Sequence, residues 1–152
     1  MIKTDFRLPV FLKEICKEDI YLKWLSREAT RFYNEDQEVG EYDRTSRFEY
    51  RDAIHKAVLR HGEVDAYTGS ILNWKLVGRF NAKEAKKLGK QYRVHFADAP
   101  VADRIDNAPG SLNITICSWR VFYSKKNLDF AEFLSICSAV TKYAEKKGVQ
   151  IR

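Results

Sequence analysis

One stretch of this sequence limits the fold more than any other, the segment VADRIDNAPGSLNITICSWRVFYSKKNLDF over 101–130. Its first five residues have an extended pattern, and Pro109-Gly110 is a strong turn signal. Residues 112–117 then alternate between large apolar and smaller side chains, which predicts a strand with one buried face. The segment therefore predicts a β-hairpin made of two short strands.

A basic stretch and a final helix follow the hairpin. Arg120, Lys125 and Lys126 carry the charge of a predicted loop, and Asp129 is placed to cap the helix. An apolar stripe at helical spacing predicts the buried face of that helix: Phe133, Leu134, Cys137, Val140 and Ala144. The order is strand, strand, helix, and we expect the last helix to pack behind the hairpin.

Two longer helices are predicted before the hairpin. The first covers 17–36, where apolar residues recur every three or four positions. A polar loop over 37–44 separates it from the second helix. Ser46 and Glu49 open that second helix as a capping box, and Gly62 ends it.

Three smaller elements are predicted between these helices and the hairpin. Gly69 closes a tight turn over 65–69. Asn81 caps a short basic helix that ends at Gly89, and the alternation over 92–97 predicts a strand.

The composition is that of one globular domain. The chain has 152 residues and 45% apolar residues, enough to bury a core. We predict a single α+β domain over 1–152, with a mainly helical part at 1–62 and the hairpin part at 63–152. The first ten residues resemble no signal peptide, and no apolar run reaches membrane-spanning length. A cytoplasmic protein without a membrane partner is expected.

The three cysteines form no C-x-x-C pair, so a zinc ribbon is not predicted. Free thiols are commonly buried in a reducing compartment, so we expect three buried thiols. They are Cys16, Cys117 and Cys137.

The net charge of +6 favours a polyanionic partner. The positive charge is concentrated in two clusters, one over 83–93 and one after the second strand of the hairpin. A charge cluster is usually a solvated face, but two clusters beside one hairpin favour phosphate contacts. Nucleic acid, in the form of double-stranded DNA, is therefore the expected partner.

Several short stretches together resemble a family of bacterial HNH-like endonuclease domains, which have the ββα-metal or His-Me finger fold. The matching stretches are Ile54-His55-Lys56-Ala57-Val58, Asp65-Ala66-Tyr67-Thr68-Gly69, Leu72-Asn73-Trp74, Ile116-Cys117-Ser118-Trp119-Arg120 and Leu128 to Cys137. They cover roughly the C-terminal two thirds of the chain. The resemblance implies a ββα-metal hairpin-helix core preceded by additional helices.

The chain departs from the family pattern at two catalytic positions. Family members would read Pro-Thr-Val-Asp-His where this chain ends in Asp103-Arg104, and Trp-Arg-Thr-Asn where it ends in Phe122. The resemblance implies a metal-holding role for Asp103 and a position near the phosphate for Lys125. Arginine cannot take a proton from water at neutral pH, and phenylalanine offers no lone pair to a metal.

A nucleic-acid-binding protein that has lost standard metal-dependent hydrolysis is the first interpretation, and it requires no cofactor. Arg104 would then pair with Asp103 or clamp a phosphate. The backbone contacts would be Arg120, Lys125, Lys126, Lys90 and Arg93. Trp119 and Tyr123 are candidates for base stacking, although Trp119 has the character of a core residue.

Two alternatives belong to other classes. An active endonuclease using Mg²⁺ or Mn²⁺ would need His95 as a substitute base, on the strand predicted before Asp103. Its replacement metal ligands would be Asp98, Asp106 or Asn113. The other alternative is a protein-interaction module on a nuclease-derived fold, with a protein as its partner.

Overall fold

The computed structural model describes residues 6–40 and 45–152. Its helices and strands are α1 (Glu18–Glu38), α2 (Arg47–His61), α3 (Ala82–Leu88), α4 (Lys90–His95), β1 (Pro100–Arg104), β2 (Ile114–Ser118), α5 (Trp119–Lys125) and α6 (Phe130–Lys146). The predicted α+β class is confirmed. Part of the predicted 37–44 loop and the first residues of the chain lie outside the described ranges. None of the described helices has the length and apolar character needed to cross a membrane.

The two long N-terminal helices form where the sequence predicts them. On α1 the apolar stripe is buried at Tyr21, Trp24 and Phe32, and this helix packs along α2. The start of α2 is fixed by the predicted capping box: Ser46 accepts from the backbone of Glu49, whose carboxylate accepts from the Ser46 backbone N–H. These local signals place both helices with few errors at their ends.

Aromatic rings fill the centre of the main core. Tyr21 and Trp24 on α1 pack against Trp74, whose indole contacts Trp24 edge to face with ring centroids 4.9 Å apart. The Trp74 indole N–H donates to the Gly62 carbonyl at 2.7 Å, so its one polar atom is satisfied. Leu72 and Trp74 are buried, as the predicted turn over 65–69 requires.

The hairpin is buried on both faces, not on one face as its alternation predicts. Strands β1 and β2 pair antiparallel, with Asp103 opposite Thr115, and all their residues are buried. Helix α2 covers β2, and α5 contacts both strands. A two-stranded sheet is unstable alone, so its stability here comes from these helices.

The outer edge of β1 is occupied by side chains of α1. Arg31 donates to the Ala102 carbonyl at 2.6 Å, and Glu28 accepts from the Ala102 backbone N–H at 3.4 Å. The Trp24 indole N–H donates to the Pro100 carbonyl at 3.3 Å. Buried backbone polar groups need partners, and here helix side chains supply what a third strand would.

The outer edge of β2 is occupied by the turn over 65–69. The Ala66 backbone N–H donates to the Ile116 carbonyl at 3.0 Å, and Asp65 accepts from the Ser118 backbone N–H at 2.8 Å. Further along, the Arg60 guanidinium donates to the Ile114 carbonyl at 3.4 Å. Loop and side-chain groups therefore flank the hairpin on both sides.

Two secondary-structure predictions are wrong. Residues 92–97 were expected as a strand, but 92–95 are the last four residues of α4 and a turn follows them; Tyr92 and the C-cap Phe96 stack with ring centroids 4.5 Å apart. The basic stretch after β2, expected as a loop, is the helix α5. Ser118 caps α5 by accepting from the backbone N–H of Val121.

The last helix is formed as predicted but packed differently. Asp129 caps α6 by accepting from the backbone N–H of Glu132, and Gly148 follows its end. None of the residues of α6 is buried, so its apolar stripe does not pack behind the hairpin. The helix that contacts both strands is α5, which follows β2 without a break.

Candidate functional site

Asp103 lies in a buried charge pair with Lys125 and not with Arg104. Its carboxylate is 3.1 Å from the Lys125 ammonium and accepts a hydrogen bond from the Tyr67 hydroxyl at 2.6 Å. The Lys125 ammonium also donates to the Arg104 carbonyl at 3.3 Å. Lys125 is 1% exposed and Asp103 4% exposed. The expected Asp103–Arg104 ion pair is therefore wrong, because neighbours in a strand point to opposite faces.

Arg104 lies in a second buried cluster on the other face of β1. Its guanidinium donates to Asp36 at 2.6 Å and to Glu35 at 3.0 Å, and a third bond reaches the Tyr50 hydroxyl at 3.1 Å. The Tyr50 hydroxyl itself donates to Asp36. Asp36 also accepts from the backbone N–H of Gly110, which joins the hairpin turn to α1.

Burial and pairing shift the pKa values of three groups in these clusters, Arg104, Tyr50 and Tyr67. Burial alone lowers the pKa of Arg104, but the hydrogen bond and charge of Asp36 outweigh it and raise the pKa above its ordinary value. Burial first, then the hydrogen bond to Asp36, raise the pKa of Tyr50. Burial and the bond to Asp103 likewise raise the pKa of Tyr67. These hydroxyls stay protonated and act as donors at every ordinary pH.

These contacts correct two of the predicted phosphate contacts. Arg104 is 6% exposed and Lys125 1% exposed, and each has its charge matched inside the protein. A buried cation that already holds a carboxylate is not available to a phosphate at the surface. Sequence order alone could not distinguish these two cations from the exposed ones.

Phe122 lines two small clefts. One has a volume of about 350 Å³, and the other, which Asp103 and Arg104 also line, has a volume of about 250 Å³. The Arg31 guanidinium lies 4.8 Å from the centre of the Phe122 ring, a cation–π contact. The position at which the resemblance implies a metal-binding Asn is therefore occupied by a ring that packs against a cation.

His95 lies on a helix, not on the strand predicted before Asp103. It occupies the last turn of α4, is exposed, and packs edge to face on Phe96 with centroids 5.1 Å apart. Of the replacement metal ligands proposed to act with His95, Asp98 forms an ion pair with Arg120, with a nitrogen–oxygen distance of 3.2 Å. Asp106 accepts from the Ser111 hydroxyl at 2.8 Å.

A metal-binding cluster is not among the groups that the structure describes. Over residues 6–40 and 45–152, no three His, Cys, Asp or Glu side chains lie together in a way that could hold an ion. Asp103 has Tyr67 and Lys125 as its hydrogen-bond and charge partners. The negative charge of the Asp103 carboxylate is therefore already balanced by the Lys125 ammonium.

The turn over 65–69 supports this part of the molecule in a way that sequence reasoning missed. Asp65 is 1% exposed and accepts hydrogen bonds from the backbone N–H groups of Tyr67, Thr68 and Ser118. Gly69 has φ +76°, which the tight turn requires. The turn thus holds Tyr67 against Asp103. An Asp two residues before a Tyr-Thr-Gly sequence was the available signal for this Asx turn.

The exposed predicted cations converge on one open groove of about 950 Å³ between α4 and α5. Two come from the α4 side, Lys90 and Arg93, and two from the α5 side, Arg120 and Lys126. We refer to this surface, lined by these four cations together with Phe80, Trp119 and Tyr123, as the basic groove. Four of the six cations predicted to contact phosphates therefore share one surface.

Backbone contacts fix the two walls of the basic groove relative to each other. The backbone N–H of Trp119 donates to the Ala99 carbonyl, and that of Arg120 donates to the Ala97 carbonyl, both at 3.0 Å. Gly89, with φ +54° and ψ −116°, lets the chain turn from α3 into α4. Backbone hydrogen bonds thus join the start of α5 to the segment that follows α4.

Aromatic rings form the floor and rim of the basic groove. Trp119 is half-buried and contacts Phe80 and Tyr123 with centroids 5.7 Å and 5.6 Å apart. Phe80 is 56% exposed and Tyr123 53% exposed. Exposed rings of this size beside cations are unusual for a surface that binds nothing. Phe80 was not predicted, because no sequence pattern connects it to α5.

No family model matches the chain. No curated protein and no solved structure matches it either.

Proposed function

We propose that this protein binds nucleic acid in the basic groove, on an HNH-like scaffold that no longer performs standard metal-dependent phosphodiester hydrolysis. The observation that carries the proposal is the convergence of four exposed cations and two exposed aromatic rings on one groove. Cations at such a surface neutralise phosphates, and exposed rings stack on bases or sugars. The partner proposed first is double-stranded DNA.

The order of elements supports the scaffold. A hairpin followed directly by a helix that contacts both strands has the order of a ββα unit. The helix in this position is α5, and not the last helix α6, in which most of the matching stretch Leu128 to Cys137 lies. The matching sequence stretches over 65–74 and 116–120 lie in the supporting turn and at the junction of β2 and α5.

The contacts of three residues support the loss of hydrolysis. Arg104 stands where the resemblance implies the general base, and it is committed to Asp36 and Glu35. Asp103, in the implied metal position, has its charge matched by Lys125, and an adjacent ammonium disfavours a divalent cation. Losing a general base alone costs about 10² to 10⁴ in rate.

The binding test is a salt series with matched charge variants. Fluorescence anisotropy would follow a labelled duplex, and a single strand of the same sequence, from low to physiological salt. We expect binding that weakens steeply with salt, and weakens further in the double variant Lys90→Ala, Arg93→Ala. The double variant Lys13→Ala, Lys23→Ala removes the same charge from exposed sites outside the groove. The proposal would be refuted if neither the duplex nor the single strand bound at low salt.

Two further results would decide between general and local electrostatics, and between binding and cleavage. Equal losses of affinity in the groove variant and the control would show that the nucleic acid is attracted by net charge and not by a defined site. A plasmid-nicking assay with Mg²⁺ or Mn²⁺ tests the active alternative. We expect no nicking; cleavage that disappears in His95→Ala would establish that alternative instead.

A further inference from the structure

The long helix α6 presents an apolar surface that nothing in the described structure covers. Four large apolar side chains on it are at least half exposed: Leu134 at 54%, Ile136 at 50%, Val140 at 63% and Tyr143 at 61%. No residue of α6 is buried, although its apolar stripe is as regular as that of α1. Ile136, Val140 and Tyr143 lie within about 60° of one another around the helix, whereas Leu134 lies at least about 120° away from them. An exposed apolar face such as that of Ile136, Val140 and Tyr143 marks an interaction site.

The helix is attached to the rest of the protein near its first turn. The Phe130 backbone N–H donates to the Ile105 carbonyl at 2.9 Å, and the Phe130 ring stacks on Tyr67 with centroids 5.0 Å apart. From there α6 extends for 17 residues, about 25 Å at 1.5 Å per residue. That length is enough to pair with another helix over several turns.

Part of the residue pattern of α6 is symmetric about Ser138. Three pairs of positions at equal distances from Ser138 carry side chains that match when the helix is set antiparallel to a copy of itself. Ile136 then lies opposite Val140, Phe133 opposite Tyr143, and Asp129 opposite Lys147. The apolar pairs fall in the middle and the opposite charges at the ends.

The charges of α6 favour the antiparallel arrangement over the parallel one. Its first turn carries Asp129 and Glu132, and its last residues carry Lys146 and Lys147. Antiparallel copies bring each acidic end to a basic end, and they also oppose the two helix dipoles. A parallel pair would place like charges side by side.

We propose that α6 is a self-association surface, through which two copies of this chain pair antiparallel about a two-fold axis at the level of Ser138 along the helix, on the side that carries Ile136 and Val140. Such an isologous contact buries the same apolar residues of both copies. The complementary charges lie on the same helix as the apolar face, so a second copy is the occupant that this surface matches. The proposal is independent of nucleic-acid binding.

The first test measures mass against concentration, by sedimentation equilibrium of the full chain from micromolar to submillimolar. We expect a reversible shift from 17.8 kDa toward twice that mass. Val140→Glu should abolish the shift, because a carboxylate would enter the apolar contact. Ser138→Glu is the matched control: it adds the same charge on the opposite side of the helix, 200° away at 3.6 residues per turn. Circular dichroism confirms that both variants fold.

The second test determines the orientation through charge exchange. Glu132 lies about 3 Å along the axis from Lys146 of the second copy in the proposed register, at 1.5 Å per residue. Glu132→Lys alone and Lys146→Glu alone should each weaken association several-fold, and the double variant should restore it. Weakening by the single changes that the double change does not restore would refute the antiparallel arrangement.

Cys137 provides a third readout at the centre of the surface. It is exposed, whereas Cys117 is buried and Cys16 is half-buried. In a Cys16→Ser background, a short bismaleimide should link two copies through Cys137. A chain that stays at 17.8 kDa over the whole series and is not linked overturns the proposal. The surface would then belong to another protein or to a further segment of a longer chain.

Discussion

Six cations that the sequence groups together fall into two sets in the structure. Arg104 and Lys125 are buried and matched by carboxylates, while four others line the basic groove. The first set organises the interior around the hairpin, and the second faces solvent. The difference teaches that position in a motif does not determine the role of a charged residue; the groups that surround it do.

The largest effect is expected at Arg104. Replacing it with alanine leaves the buried Asp36 without its cation, and breaking a buried pair in this way costs about 3 kcal/mol or more. Urea denaturation would measure the free energy of unfolding. Arg93→Ala, in the exposed set, is the control and should change it by less than about 0.5 kcal/mol. Equal effects of both changes would remove the distinction between the two sets.

A smaller loss of stability is expected at Lys125. Lys125→Met keeps the aliphatic stem but leaves Asp103 with Tyr67 alone, which should cost about 2 kcal/mol. The additional change Asp103→Asn removes the stranded charge and should recover part of the loss. If Lys125→Met instead weakens nucleic-acid binding at unchanged stability, this residue belongs to the exposed set.

The exposed set should alter binding and not folding. Arg120→Ala with Lys126→Ala is expected to lower the slope of log affinity against log salt by roughly 1 for each cation lost. The free energy of unfolding should stay within about 0.5 kcal/mol of the parent. An unchanged slope, measured by anisotropy on the same duplex, would place the contact surface elsewhere.

The smallest effect is a pH dependence that follows the same contrast between buried and exposed groups. Burial lowers the pKa of His55, against the opposing charge of Asp52, and the His55 ring lies 2.6 Å from the Tyr21 hydroxyl. The unfolded chain therefore takes up this proton first as the pH falls. Stability should decline as the pH drops through about 6.5 and level off below the folded pKa.

Thermal unfolding from pH 7.5 to 5 would measure this decline. The variant His55→Gln should flatten that part of the profile, and His95→Gln, at an exposed position, serves as the control. A profile that His55→Gln leaves unchanged would show that other groups cause the decline.

Local signals explain which parts of the fold were predictable. The capping box at Ser46 and the cap at Asp129 act within one helical turn, so the starts of α2 and α6 follow from the sequence. The hairpin strands likewise follow from their turn and their apolar residues. The prediction of a strand over 92–97 was wrong because Tyr92 and Phe96, which would share one face of a strand, also share one face of a helix.

Tertiary contacts explain what the sequence could not provide. The charge partner of Asp103 is Lys125, 22 positions later, and Arg104, on β1, pairs with Asp36 on helix α1. Pairs so far apart along the chain produce no periodic pattern in the sequence from which the contact could be predicted. The exposure of α6 and of Cys137, which was expected to be buried, could not be predicted either. Amphipathicity identifies the apolar side of a helix but not what covers it.

The side chains and loop amides that flank the hairpin also limit how this protein can join others. Edge strands with free amides invite extended peptides, and they start fibrous aggregation. Here Ala102 is engaged by Arg31 and Glu28 on one side, and the Ile116 carbonyl by Ala66 on the other. Neither side of the hairpin can therefore be extended by a guest strand without first displacing these groups.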